Sequence, residues 1–197
     1  AAERDFVAAR ADFEQAAAIP VAGATALQGL RDKGRLQSGQ KVLINGASGG
    51  VGTFAVQIGR ALGAEVTGVC STKNVDLVRS IGADHVVDYT VDDFTRGGKR
   101  YDLILDCIGN RSLSACRRIM TDNATYLPIG AKVSGRWLGP LPQLLQLLVS
   151  SWFVSQKVVF FVGRVNTDEL TALKELIEAN KVTPVIDCRY TLSEVPE

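Results

Sequence analysis

The sequence is poor in the residues that build metal centres and disulfide frameworks. Its 197 residues include one histidine, one methionine and four cysteines, and no two cysteines form a C-x-x-C pair. A site assembled from a single histidine and widely separated cysteines is not favoured, so we predict no bound metal. We interpret the cysteines as buried free thiols of a cytoplasmic protein: Cys70, Cys107, Cys116 and Cys188.

The sequence also lacks a strong charge of either sign and a long uninterrupted apolar run. The net charge is +1, so we predict neither a nucleic acid nor a membrane surface as a partner. The N-terminus opens with charged residues and has no apolar signal-peptide core. Pro140, Pro142 and Lys157 interrupt the most apolar region, residues 136–163, leaving pieces shorter than the roughly 20 residues of a membrane span. The region is predicted to be a core helix or an oligomer contact.

Glycine is abundant, with 19 residues, and its densest cluster follows a short apolar run. That run, residues 42–44, is typical of a buried parallel strand. After the glycines, Phe54, Ile58 and Leu62 recur at the spacing of one helix face, and Gly63 ends the helix. The stretch therefore predicts a strand, a tight turn and a helix in succession.

The start of that helix is a candidate site for a diphosphate. Its first N–H groups have no partner within the helix, and the helix dipole adds partial positive charge. Ala47, Gly49 and Gly52 occupy the small-residue positions of the G-x-G-x-x-G fingerprint, with alanine in place of the first glycine. A tight turn that binds nothing is the alternative. Because a strand, a helix and a further strand follow in order, we favour a dinucleotide site.

Strands and helices are predicted to alternate along the rest of the chain. The further predicted strands are residues 65–70, 83–88, 101–107, 124–129 and 157–162. The further predicted helices are residues 20–33, 75–81 with Asn74 as the cap, 112–120, 140–153 and 168–180. This order is typical of an α/β fold, a doubly wound parallel Rossmann sheet of six strands with helices on both faces.

The last predicted strand, residues 157–162, is apolar after Lys157 and would lie at the edge of the sheet. An open apolar edge strand is an aggregation hazard. We therefore predict that it pairs with a second copy of the chain in a homodimer.

The end of the second strand distinguishes NAD from NADP. An acid at this point would accept a hydrogen bond from the ribose 2′-OH of NAD, but the position holds Cys70, followed by Ser71 and Lys73. A carboxylate would repel a 2′-phosphate, whereas a hydroxyl can donate to it and a lysine can neutralise it. An ordinary solvated lysine is the alternative. We predict NADP(H) as the cofactor.

Ligands of such sheets lie beyond the carboxyl ends of the strands, where the strand order reverses. That rule adds two groups of candidate residues beside the nicotinamide half, although their glycines could equally serve plain turns. They are Cys107, Ile108, Gly109 and Asn110 after the fourth strand, and Ile129 and Gly130 after the fifth.

Several ordered segments together resemble the zinc-independent quinone oxidoreductase branch of the medium-chain dehydrogenase/reductase superfamily. The segments are residues 19–26, 42–52, 82–89, 101–106 and the closing 177–187. Such motifs in register are more specific than a glycine turn alone. The resemblance implies NADPH bound between a Rossmann domain and a GroES-like domain, with hydride passed to a quinone or an activated enone.

The resemblance also implies roles for individual residues, although it names no catalytic residue. Thr25 would contact the nicotinamide amide, Phe161 and Val162 would approach the nicotinamide, and Tyr89 would lie near the adenosine. Ser71 and Lys73 would hold the 2′-phosphate. The residues that would contact the diphosphate are Ser48, Gly49, Gly50, Val51 and Gly52.

The family's GroES-like domain is expected to be largely absent from this chain. Residues 1–12 are interpreted as an N-terminal remnant or linker, 13–182 as the NADP-binding domain, and 183–197 as a return towards the missing domain. Without those walls we expect nucleotide binding with weak or no turnover. The alternatives are a non-catalytic NADPH-binding sensor or scaffold module and an enoyl-reductase piece of a larger synthase.

Overall fold

A computed structural model of the chain describes residues 13–129 and 156–194. Residues 13–18 are helical. The later helices are α1 (Pro20–Leu27, continued by a π-helical stretch Gln28–Lys33), α2 (Gly50–Ala61), α3 (Val75–Ser80), α4 (Leu113–Arg117) and α5 (Thr167–Glu178). The strands are β1 (Lys41–Asn45), β2 (Glu65–Cys70), β3 (His85–Asp88), β4 (Tyr101–Asp106), β5 (Met120–Pro128) and β6 (Lys157–Val158).

The strands form one six-stranded sheet in the order β3-β2-β1-β4-β5-β6, and every pairing is parallel. The successive apolar residues of β1 point to opposite faces of the sheet, and both faces are covered by a core. Val42 and Ile44 belong to the core under α1, α2 and α5, whereas Leu43 belongs to a second core with Phe94 and Cys116. All three β1 side chains are fully buried. The predicted doubly wound fold is confirmed.

The strand order reverses at β1, which pairs with β2 on one side and β4 on the other. The carboxyl ends of β1 and β4 therefore border the crevice in which such sheets bind their ligands. The glycine cluster leaves β1 at this edge, directly before α2.

Several predicted boundaries of strands and helices were wrong. β5 begins at Met120, which the sequence prediction placed in a helix over 112–120, and that helix ends at Arg117. Met120 is buried in the second core and lies opposite Tyr101, so packing outweighs its helical spacing. β5 also ends at Pro128, β3 begins at His85 and β4 ends at Asp106, each one or two residues from the predicted bound.

The predicted strand over 157–162 is much shorter in the structure. Only Lys157–Val158 forms the strand, and its last bond to β5 runs from Val159 N to Tyr126 O (3.0 Å). Beyond it the chain turns towards α1, where Arg164 is bound by a side chain. The helix predicted over 140–153 lies outside the described residues.

The cysteines are all free thiols, but their burial is uneven. Cys70 and Cys116 are buried, Cys107 is half-buried and Cys188 is exposed. The expectation of four buried thiols was therefore wrong for Cys188, which lies between Asp187 and Arg189 rather than in an apolar run.

The proposed boundary between residues 182 and 183 remains a prediction. Gln57 of α2 binds the chain there through two bonds, Gln57 Nε2 to Thr183 O (2.9 Å) and Thr183 N to Gln57 Oε1 (2.7 Å). The start of the closing segment is thus fixed to the sheet domain.

Candidate functional site

The glycine turn is fixed to the end of the neighbouring strand. The N–H groups of Gly46 and Ala47 both donate to Val69 O of β2, at 3.1 and 2.9 Å. Gly49 N then donates to Gly46 O at 3.0 Å, which closes the turn before α2. The turn therefore has a defined shape before any ligand arrives.

The physical reason for a glycine differs between two positions of this turn. A Cβ on Gly52 would collide with the Gly46 carbonyl oxygen and lie 2.8 Å from the Cα and carbonyl carbon of Ala47, so close packing requires glycine. A Cβ on Gly49 would meet only the Gly46 oxygen at 3.4 Å, an ordinary contact, and Gly49 has a φ of −81°. Neither packing nor backbone strain accounts for glycine at position 49. The position leaves the start of α2 uncovered, as close approach by a ligand would require.

The start of α2 is open to an anion. Gly49 is its N-cap, no side chain makes a cap hydrogen bond there, and Gly49 and Gly50 are exposed. The first N–H groups of a helix have no partner within it and carry the positive end of its dipole. Because α2 has 12 residues and no acidic residue in its first turn, nothing on this helix opposes a diphosphate.

The turn after β2 contacts the glycine turn through one side chain. Asn74 Nδ2 donates to Ser48 Oγ (3.0 Å) and to Ser71 Oγ (3.3 Å). Asn74 occupies the N-cap position of α3, as predicted, but makes no cap hydrogen bond. The amide joins the two turns instead.

The same turn is held on its other side by the end of β3. The Thr72 and Thr90 hydroxyls lie 2.8 Å apart, and Asp88 Oδ1 accepts from Thr90 N and Thr90 Oγ1 at 2.9 and 2.7 Å. Hydrogen bonds from Thr72 and then Thr90 hold the pKa of Asp88 below its ordinary value. The carboxylate nearest this turn therefore already has hydroxyl partners.

Lys73 lies between these two attachments. It is exposed and has no hydrogen-bond or ion-pair partner within residues 13–129 and 156–194. Cys70, at the position of the acid in NAD sites, is buried, and burial followed by the Asp88 charge raises the pKa of its thiol. Tyr89 N donates to Cys70 O at 3.0 Å, which places half-exposed Tyr89 beside the end of β2.

A buried carboxylate shapes the loop after β4. Asp106 is 1% exposed, and its Oδ1 accepts from Asn45 Nδ2 (2.8 Å), Ile108 N (3.1 Å) and Gly109 N (2.8 Å). Its Oδ2 accepts from the Tyr126 hydroxyl at 2.6 Å. Burial and the Asp106 charge raise the Tyr126 pKa far above its ordinary value. Four donors thus balance one buried charge.

The candidate residues after β4 follow from this arrangement. Asn45 Nδ2 also donates to Asn110 Oδ1 at 3.0 Å, so Asn110 lies at the carboxyl end of β1. Cys107 is half-buried, and burial followed by the Asp106 charge raises its pKa to about 12. Its thiol is protonated at neutral pH and is not a nucleophile there.

A third group of predicted residues meets at α1. The Gly163 backbone lies against Thr25, since an added Cβ would come within 3.3 Å of the Thr25 Cβ. Gln28 binds Arg164 by two bonds, Gln28 Nε2 to Arg164 O (2.5 Å) and Arg164 N to Gln28 Oε1 (3.1 Å). Phe161 packs on the core, whereas Val162 is 86% exposed. Phe161 and Val162, which directly precede Gly163 in the chain, therefore lie near Thr25.

Most of the predicted residues directly follow the carboxyl ends of the parallel strands β1 to β5, whereas Thr25, Phe161 and Val162 lie at or near α1. Ile129 follows β5, and its N donates to Asp106 O at 2.8 Å. Gly130 lies outside the described residues. The sequence prediction missed the polar residues whose hydrogen bonds connect the turns of the site. For Asn45 and Asp106 a signal was available, because each is a polar residue at the end of an apolar strand. The missed residues are Gln28, Asn45, Asn74, Asp106 and Tyr126.

The described residues contain no group of three or more His, Cys, Asp or Glu side chains able to hold a metal ion. No helix in residues 13–129 or 156–194 is both long and apolar enough to cross a membrane.

Comparison with known proteins finds a dehydrogenase family and oxidoreductases to which this chain is similar. A family described as zinc-binding dehydrogenase matches residues 81–197. The mitochondrial NAD(P)H oxidoreductase RTN4IP1 of Mus musculus is 36% identical over 203 residues, which cover 93% of this chain and 51% of that protein. A chloroplast envelope quinone oxidoreductase homolog of Arabidopsis thaliana is 30% identical over 192 residues, covering 93% of this chain and 56% of that protein.

A solved structure shows the same fold. The quinone oxidoreductase from Coxiella burnetii superposes with a TM-score of 0.71 at 23% identity, over 85% of this chain and 50% of that one. The chain thus spans about half the length of these relatives.

Proposed function

The chain belongs to the zinc-binding dehydrogenase family of the medium-chain dehydrogenase/reductase superfamily, as its cofactor-binding part, and on that premise we propose that it binds NADPH. The observation that carries this proposal is the uncapped start of α2 at Gly49, together with Lys73 in the turn after the neighbouring strand β2, where it has no partner among the described residues. Although the family's description names zinc, the described residues offer no ligand set for it, and no step here depends on a metal.

The diphosphate fits the glycine turn. The N–H groups of Gly50, Val51 and Gly52 belong to the first turn of α2 and are free of side-chain caps. Ser48 adds a hydroxyl that is already oriented by Asn74. Gly49 leaves room for the phosphate because no side chain stands in front of these groups.

A 2′-phosphate fits the turn after β2. Lys73 supplies a positive charge and Ser71 a donor, whereas a carboxylate at position 70 would have favoured the 2′-OH of NAD. The nearby Asp88 carboxylate already accepts hydrogen bonds from Thr90 and Thr72, so it is less available to accept one from a ribose hydroxyl. We therefore favour NADPH over NADH.

The redox step proposed is that of a quinone or enone oxidoreductase. Bound NADPH would supply a hydride, and the chain would orient its nicotinamide end through Thr25, Phe161 and Val162. Ile108 and Val162 are 43% and 86% exposed, so the described residues leave the acceptor side of this end open to water. Because hydride transfer needs a closed pocket, we expect weak turnover by this chain alone.

Two other functions lead to different outcomes. A sensor or scaffold module would bind NADPH but would reduce no acceptor, even in complex with its partner. An enoyl-reductase piece of a synthase would reduce an enoyl thioester in preference to a quinone. The cytoplasm is our proposed location, since an exposed free thiol such as Cys188 persists most readily in a reducing compartment.

Calorimetric titration of the chain with NADPH and with NADH tests the proposed function. We expect NADPH to bind more tightly by roughly tenfold or more, the effect of one or two charge-assisted hydrogen bonds. Equal affinities would contradict the 2′-phosphate assignment. Absence of binding by either nucleotide would contradict the proposed function as a whole.

A further inference from the structure

Asn74 joins two turns that the resemblance treats as separate subsites. Its Nδ2 donates to Ser48 in the glycine turn and to Ser71 in the turn after β2. Ser48 and Asn74 lie 26 residues apart in the chain, and all three residues are half-buried. The contact is therefore a tertiary link at the candidate site and not a local cap.

The direction of these hydrogen bonds determines what the serines can still do. The amide nitrogen carries two hydrogens, which is enough to donate to both serine oxygens. Each serine hydroxyl accepts from Asn74 and keeps its own hydrogen. Within the described part of the chain neither hydroxyl donates to a protein acceptor.

We propose that Asn74 is a positioning residue that holds the hydroxyls of Ser48 and Ser71 as donors for two different phosphates of one bound nucleotide. This inference rests on the proposed function, because it assigns Ser48 to the diphosphate and Ser71 to the 2′-phosphate. A serine that must first reorient its hydroxyl loses part of the benefit of the contact, and a fixed donor avoids that cost.

The surrounding contacts make Asn74 suited to this role. Thr72 is held to Thr90 and Asp88 on the far side, so the turn after β2 is attached both to the glycine turn and to the end of β3. The two serines are thus held at a fixed separation. A nucleotide with phosphates at both positions gains from this spacing, whereas NADH uses only the Ser48 side.

The first test is a double-mutant cycle on NADPH binding, measured by calorimetry on the whole chain. We expect Asn74→Ala to weaken NADPH binding by roughly tenfold and NADH binding by less. In a chain that already carries Ser48→Ala and Ser71→Ala, the same change should have almost no effect, because Asn74 then has no hydroxyl to orient. A purely structural role would give the same loss in both backgrounds.

The second test keeps the size of the side chain and changes only its hydrogen bonding. Asn74→Asp replaces the donor by an acceptor, so both serines would turn their hydrogens towards the carboxylate and away from the ligand. We expect a larger loss of NADPH binding than in Asn74→Ala. Asn123→Asp, at an exposed position early in β5, is the matched control for the added charge and should bind NADPH as the unchanged chain does.

The outcomes separate this inference from the proposed function. If the unchanged chain prefers NADPH but the Asn74 variants, shown to be folded by circular dichroism, bind it equally well, only the role of Asn74 is wrong. An equal loss in both serine backgrounds also overturns that role. Failure of the unchanged chain to bind either nucleotide would overturn both proposals.

Discussion

At the end of β2, Lys73 is an exposed cation beside two hydroxyl-bearing residues, with no ion-pair partner in the part of the chain that the structure describes. We expect Lys73→Glu to weaken NADPH binding by about 1–3 kcal/mol, since a charge-assisted contact becomes a repulsive one. NADH, which lacks the 2′-phosphate, should be little affected. Calorimetry with both nucleotides measures the difference.

Lys181→Glu is the matched control, because Lys181 is exposed just after α5 and the change in charge is the same. It should leave both affinities unchanged. Equal losses of NADPH and NADH in Lys73→Glu would remove Lys73 from the 2′-phosphate.

Asp106 is the residue on which the loop after β4 depends. Asp106→Ala would remove the acceptor of the buried Tyr126 hydroxyl, one of the two acceptors of Asn45 and the acceptor of two partly buried backbone N–H groups, so we expect the free energy of unfolding to fall by at least about 3 kcal/mol. Tyr126→Phe removes one donor and should cost only about 1 kcal/mol. Urea unfolding measures both free energies. A loss no larger for Asp106→Ala than for Tyr126→Phe would show that the other hydrogen bonds to Asp106 contribute little.

Single residues could be predicted where the chemistry is local. Ser71 and Lys73 follow β2 in sequence, so their position at the sheet edge was accessible without a structure. The hydrogen bonds from Asn45 to Asp106 and from Asn74 to Ser48 were not, because these partners lie 61 and 26 residues apart. A polar residue beside an apolar strand indicates a buried partner without identifying it.

At the scale of elements, the glycine turn allows packing and ligand approach to be separated. Gly52→Ala should destabilise the protein strongly, because the new Cβ collides with the backbone at Gly46 and Ala47. Gly49→Ala should change the free energy of unfolding by no more than about 0.5 kcal/mol, as for ordinary exposed positions. It should nevertheless weaken NADPH and NADH binding alike, because its Cβ stands where the diphosphate approaches.

Thermal unfolding and nucleotide titration of these two variants check the prediction. Unchanged affinity in a folded Gly49→Ala variant would show that the diphosphate does not lie on this turn.

Elements were predictable where one periodicity dominates. The buried strand β1 and the amphipathic helix α5 have clear patterns, and both appear in the structure close to the predicted bounds. The short length of β6 was not predictable. The apolar run that begins in β6 continues to Val162, whereas the hydrogen bonds between Gln28 and Arg164 hold the chain outside the sheet. Its length is set by a tertiary contact.

At the scale of the whole molecule, the open side of β6 leads to a prediction about assembly. β6 pairs with β5 alone among the described strands, and Phe160 just beyond it is 47% exposed. We propose that a second copy of the chain pairs along this edge, and we expect a dimer in sedimentation experiments. Phe160→Lys should shift the chain to a monomer.

Val165→Lys introduces the same charge at an equally exposed site beyond the strand and should leave the dimer intact. A monomer at high protein concentration would contradict the pairing.

The fold as a whole was predictable because alternating strands and helices permit few parallel arrangements. The position of the crevice followed from the strand order. The acceptor in the proposed hydride transfer could not be predicted, because its specificity would depend on walls that the described residues do not supply.

The most direct test of the account is a crystal structure of the chain grown with NADP. We predict the diphosphate at the N–H groups that open α2, beside Ser48, and the 2′-phosphate between Ser71 and Lys73. A nucleotide bound elsewhere, or one whose 2′-phosphate points away from Lys73, would contradict it.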